Sequence, residues 1–198
     1  MSAITTPVAG TPLAWKLPYR GKVGMACLII AESAIFTIFV VAYVFYVGKS
    51  LTGPQPQNVL HVPVFFTICL LSSSLTIHLA VKLLGSGKMR AFALWWLLTI
   101  ALGAVFLGGT AQEWRHLIYD EGLTIQTNLF GTTYYSLVGL HAFHVTVGLL
   151  GLAAVLVFSA LGYVKQEHAE RVEVLSLYWH FVDAVWVVVF IVVYVVGR

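Results

Sequence analysis

Five stretches of the chain keep apolar side chains on every face of a helix, at roughly 23–47, 60–81, 91–112, 131–161 and 174–196. A helix needs about 20 mostly apolar residues to cross a bilayer, and each stretch is long enough. Turn-forming residues fill the gaps: Gly53-Pro54-Gln55-Pro56, Gly85-Ser86-Gly87-Lys88, Asp120-Glu121-Gly122 and Gly162. Such short links make consecutive helices antiparallel neighbours. The pattern predicts an all-α fold, a polytopic transmembrane bundle of five helices over residues 23–198, preceded by a tail at 1–22.

Composition narrows the class further. The 198 residues are 60% hydrophobic, 14% aromatic and only 10% charged, with a mean hydropathy of +0.91. A soluble domain carries about 25% charged residues, so a soluble nucleic-acid binder or a secreted disulfide scaffold is excluded. Cys27 and Cys69 each lie inside an apolar run, where cysteine serves as a small packing residue. No paired-cysteine metal motif is present. The odd number of spans and the lack of a long-period repeat argue against an inverted-repeat carrier.

The 11 basic residues set the expected orientation. With the N-terminus inside, Lys16, Arg20, Lys22, Lys82, Lys88, Arg90, Lys165 and Arg171 are cytoplasmic, while Lys49, Arg115 and Arg198 are outside. This is the asymmetry of the positive-inside rule, and five spans then leave the C-terminus outside. The basic tail resembles the start of a signal peptide, but the apolar run that follows is long enough to span. The tail reads as a retained cytoplasmic segment, with residues 1–15, including Pro7 and Pro12, ordered only if docked on a partner.

Ionisable groups inside a membrane face the bundle interior, a partner or water, and mark candidate sites. In the first span, Glu32 within Ala31-Glu32-Ser33 reads equally well as a hydrogen-bonded structural carboxyl and as a proton-handling or reactive one. In the second, Ser72, Ser73, Ser74 and Thr76 suit helix–helix contact; Ser74 and His78 share a face, and His78 reads as structural. In the third, Glu113 and His116 share a face near the outer surface beside Trp114, which points to surface hydrogen bonding. In the fourth, His141, His144, Gly148 and Gly151 form one stripe. Its histidines have the spacing to hold a metal or haem, whereas its glycines suit close packing. In the fifth, Glu173, Ser176, His180 and Asp183 lie along one face. The spacing predicts a structural His180–Asp183 pair, with a proton relay as the alternative.

Two segments carry a resemblance. Leu175-Ser176-Leu177-Tyr178-Trp179-His180-Phe181-Val182-Asp183-Ala184-Val185-Trp186 resembles the tryptophan–histidine–phenylalanine–valine–aspartate signature of subunit III of haem-copper terminal oxidases. Phe130-Gly131-Thr132-Thr133-Tyr134-Tyr135 through Gly139-Leu140-His141-Ala142-Phe143-His144-Val145 is similar to that family's glycine–histidine–x–x–histidine–valine helix. Glu32 matches the family's carbodiimide-reactive membrane carboxyl, and Glu113 its glutamate near the outer surface. The matches occur in order from about residue 25 to the C-terminus. Longer members have seven spans, the first two helping to build a lipid-filled cleft; this chain resembles the short, five-helix form.

The resemblance implies an accessory subunit of a proton-pumping oxygen reductase, cytochrome c oxidase foremost. Subunits I and II are the implied partners, and haems and copper belong to them, with no cofactor or metal in this chain. It further implies bound phospholipid, no nucleic acid, and a multi-pass position in the inner (plasma) membrane. The chain lacks the cysteine–x3–cysteine–x3–histidine pattern of a dicopper site. Glu32 is then the functional carboxyl, and His141, His144, His180, Asp183, Glu113 and Glu173 are buried polar residues of structure. Competing readings are a haem b anchor using His78, His141, His144 and His180, and the homologous subunit of a quinol oxidase or nitric oxide reductase.

Overall fold

The computed structural model describes residues 19–50, 53–60 and 62–197. The tail segment 1–15, Lys16 and Arg198 lie outside the described residues. Every regular element among them is helical: α1 (Arg20–Tyr46), the single turn α2 (Pro56–Val59), α3 (Val64–Gly85), α4 (Met89–Tyr119), α5 (Leu129–Ala160) and α6 (Ala169–Phe190). A 3-10 turn, Gln166–His168, leads into α6, and a π turn, Ile191–Val196, extends it. The five long segments are each long and apolar enough to cross a membrane. The protein is a multi-pass helical membrane protein.

Helix ends depart from span ends where polarity and backbone geometry give different signals. The second span was expected from residue 60, but α3 starts only after Pro63, and Pro56–Val59 forms a turn of its own. Conversely, α4 runs on through Gln112-Glu113-Trp114-Arg115-His116 to Tyr119. Those residues end the apolar stretch without ending the helix, because Glu, Gln and Arg favour helical backbone as well as most apolar residues do. The same reasoning starts α6 at Ala169, ahead of the apolar run. Two helix ends use glycine in the left-handed region. Gly87 (φ +74) folds Lys88 N–H back onto the Leu83 carbonyl at 3.0 Å, and Gly162 (φ +79) does so for Tyr163 and Phe158 at 2.9 Å.

In the bundle α3 and α4 form a hairpin, α5 packs on α1, α4 and α6, and α6 packs on α1, α3 and α5. The core is centred on α5 and α6, and its largest sealed side chains are Trp96, Trp179 and Trp186. Hydroxyls and carbonyls on neighbouring helices fix each indole. Trp96 Nε1 donates to the Leu152 carbonyl (2.9 Å), Trp179 Nε1 to Ser73 Oγ (2.8 Å) and Trp186 Nε1 to Thr67 Oγ1 (3.2 Å). Thr76 and Thr99 join α3 to α4 at 2.7 Å. Gly148 and Gly151 do serve close packing: a Cβ on Gly148 would lie 2.8 Å from the Trp179 ring, and one on Gly151 would lie 3.1 Å from Leu175. By contrast α1 is peripheral, with only 6% of its apolar window buried and Ile30, Ile38, Val41 and Phe45 bare.

One end of the bundle gathers charge. The start of α1, the α3–α4 turn and the approach to α6 bring Arg20, Lys22, Lys82, Lys88, Arg90, Lys165 and Arg171 to that end. Lys22 Nζ pairs with Glu173 at 2.8 Å, and Gln166 Nε2 donates to the Gly85 carbonyl at 2.7 Å, tying the three segments together.

Candidate functional site

Mid-bundle, α1 and α5 meet at a carboxyl–imidazole pair. Glu32 Oε2 lies 3.2 Å from His144 Nε2, with side-chain exposures of 23% and 8%. The other imidazole nitrogen, Nδ1, is 2.8 Å from the Leu140 carbonyl one turn back on α5. A carbonyl only accepts, so Nδ1 carries the hydrogen. The Glu32–His144 contact therefore holds one proton, either on a neutral carboxyl that donates to Nε2 or on an imidazolium that donates to the carboxylate. Both groups stay hydrogen-bonded whichever of them carries it. Phe36, one turn along α1, packs on the His144 ring at 5.0 Å and screens the pair from the core. On the other side Glu32 is open to the bare flank of α1.

His141, one turn from His144, is set apart. It is 1% exposed, stacks on Trp186 at 5.0 Å and meets Phe106 and Phe36 edge-on. Neither of its ring nitrogens has a hydrogen-bond partner. His144 is fully engaged by Glu32 and Leu140, so the stripe of two histidines is split between two environments. No group of three or more His, Cys, Asp or Glu among the described residues is placed to hold a metal ion.

In the fifth span the expected pair does not form. His180 does not pair with Asp183; its Nδ1 is 2.6 Å from Ser74 Oγ on α3, while both Asp183 oxygens are buried without a hydrogen bond. Helical spacing alone allowed the pair, but packing against α3 offered His180 a hydroxyl across the interface. Glu173 is only half-buried and forms the ion pair with Lys22, so it is not a buried structural group. His78 is exposed on the α3–α6 seam.

Glu113 also differs from expectation. It turns inward, away from His116, and the Tyr194 hydroxyl lies 2.9 and 3.0 Å from its two oxygens. His116 instead meets Asp120 at 2.7 Å. The Glu113–Tyr194 bond ties the end of α4 to the π turn after α6. Tyr194→Phe is expected to cost about 1–3 kcal/mol by removing the donor to a part-buried carboxyl, more than Tyr163→Phe at an exposed loop position. Thermal unfolding of both variants in the same detergent checks the order. Nothing along the chain marks Ser74, Leu140 or Tyr194 as partners, because each pairing other than the backbone bond joins residues far apart in sequence.

The fold and this pair define a five-span helical membrane protein with a one-proton carboxyl–imidazole contact on its bare flank. A family model described as Cytochrome c oxidase subunit III matches residues 19–198. The chain belongs to that family. It is 38% identical over 175 residues to a protein of Synechocystis named cytochrome c oxidase subunit 3, covering 86% of this chain and 73% of the relative. A cytochrome c oxidase subunit 3 of Alkalihalophilus pseudofirmus is 34% identical over 84% of this chain and 82% of its own length. A probable quinol oxidase subunit 3 of Staphylococcus saprophyticus is 28% identical, covering 89% of each chain.

Proposed function

We propose that this chain is the accessory subunit III of a proton-pumping haem-copper oxygen reductase, in the plasma membrane with its N-terminus cytoplasmic. It holds no redox centre of its own, binds subunits I and II, retains phospholipid and sustains proton uptake through many turnovers. The observation that carries this reading is the Glu32–His144 pair at 3.2 Å on the uncovered flank of α1. An intramembrane carboxyl that keeps 23% of its side chain exposed at the edge of its own bundle needs a partner surface or lipid beside it. The adjoining groove between α1 and α6 holds about 200 Å³, lined by Ser33, Phe36, Thr37, Val40, Val185, Val188 and Val189. Its apolar lining suits an acyl chain.

The absence of a redox centre is supported by the fate of the histidines. His141 is sealed by three aromatic rings, and His144 has both nitrogens occupied. The gathered basic end supports the orientation, since that end carries seven of the described Lys and Arg residues.

Co-expression with subunits I and II and purification in mild detergent tests the reading. The expected result is a stable complex that reduces oxygen, keeps this chain in equal stoichiometry and inactivates faster when it is removed. A chain that remains alone under those conditions, or that shows a haem absorption band when alone, overturns it. The donor is cytochrome c or quinol, as the relatives' names divide, and oxygen consumption with each donor separates the two.

A further inference from the structure

The seam between α3 and α6 carries polar groups from the basic end into the middle of the bundle. A groove of about 360 Å³ opens there, lined by His78, Val81, Lys82, Glu173, Ser176, Leu177 and His180. Most of its exposed lining is apolar carbon, but the imidazoles of His78 and His180 and the Lys82 ammonium border it, and these groups lose hydration against hydrocarbon. Beyond the groove, Ser74 Oγ meets His180 Nδ1 at 2.6 Å, and Asp183 follows His180 by three residues on the same face of α6. Asp183 is 3% exposed, and neither of its oxygens has a hydrogen-bond partner. A buried carboxyl in that state calls for water. From Glu173 to Asp183 the stripe rises ten residues of α6, about 15 Å along the axis.

The stripe then stops. Above Asp183, Trp186 donates to Thr67 on α3, packs on Phe106 of α4 at 4.7 Å and stacks on His141, which itself meets Phe106 at 5.8 Å. We infer that the α3–α6 seam is a one-sided water inlet that connects Asp183 to the basic face of the bundle and ends beneath the Trp186–Phe106–Thr67 layer. Its ligand is water, and with water come protons. A hydroxyl and an imidazole already in contact give Asp183 a route for proton exchange with one membrane surface only. The closed aromatic layer keeps the inlet from becoming a leak. The inlet uses none of the groups of the Glu32–His144 site, so it stands or falls apart from the accessory-subunit reading.

Single cysteines read the water directly, because only the thiolate reacts with a charged, membrane-impermeant thiol reagent. The native Cys27 and Cys69 are first replaced by Ser and Ala in the purified complex in vesicles. Ser176→Cys, His78→Cys and Ser74→Cys line the inlet. Leu75→Cys faces outward from α3, and Thr67→Cys lies in the closing layer. Labelling at the three inlet positions is expected from the basic side only. It should run about a hundredfold faster than at Leu75→Cys or Thr67→Cys, the scale on which hydrocarbon disfavours a charged group. His78 is exposed, so His78→Cys keeps the test valid if Ser74→Cys disturbs packing. Rates at the inlet positions no higher than at Leu75→Cys overturn the inlet. Fast labelling of Thr67→Cys, or labelling from the opposite side, overturns its closed end.

Discussion

Glu32→Gln is expected to abolish carbodiimide labelling of this chain while the assembled oxidase keeps its initial rate of oxygen reduction. The amide can still donate to His144 Nε2, whose partner nitrogen is held by the Leu140 carbonyl, so the hydrogen bond survives and only the transferable proton is lost. Glu32→Leu removes the bond as well and leaves a buried ring nitrogen unpaired, which costs about 1–3 kcal/mol. The order in assembly is therefore wild type, then Gln, then Leu. Oxygen consumption followed over many turnovers, together with label incorporation and subunit stoichiometry, checks it. A fully assembled Glu32→Gln complex with no oxygen reduction at all contradicts an accessory role, because such a role leaves the redox centres intact.

The largest loss of stability is expected at Trp179. Its ring is sealed from solvent and lies in a slot made by two glycines, Gly103 on α4 and Gly148 on α5. A Cβ on either would come within 2.9 and 2.8 Å of the indole. The indole also bonds Ser73 on α3, so one side chain of α6 reaches three other helices. Trp179→Ala empties that slot and is expected to cost about 3–5 kcal/mol. Gly148→Leu attacks the same contact from the other side by overpacking, at about 1–3 kcal/mol. Both should lower the temperature at which the chain dissociates from the purified complex. Trp95→Ala, on the exposed face of α4, should not. Equal dissociation temperatures for Trp179→Ala and Trp95→Ala would sink this account of the core.

The linear order of residues determined the number of long helices, their antiparallel sequence and the gathering of basic residues at one end. Each follows from properties read along a few tens of residues at most: apolar length against bilayer thickness, turn residues, and charge between spans. The family was legible too, through the Trp179-His180-Phe181-Val182-Asp183 and Gly139 to Val145 segments. Glu32 and His144 stood out one by one as ionisable groups in apolar runs. Their contact did not, because they are 112 residues apart and helical periodicity says only which residues share a face of one helix.

Tertiary packing decided which polar groups met. His180 and Asp183 have the spacing of a pair, yet His180 found Ser74 on α3 and Asp183 was left to the seam. Glu113 shares a face with His116, yet turned to Tyr194. A buried polar group takes the partner that the rotation of neighbouring helices brings within about 3 Å, and that rotation is set by where glycines admit an indole and where they do not. A helix fixes a side chain's direction to within a face. The bundle alone fixes its partner.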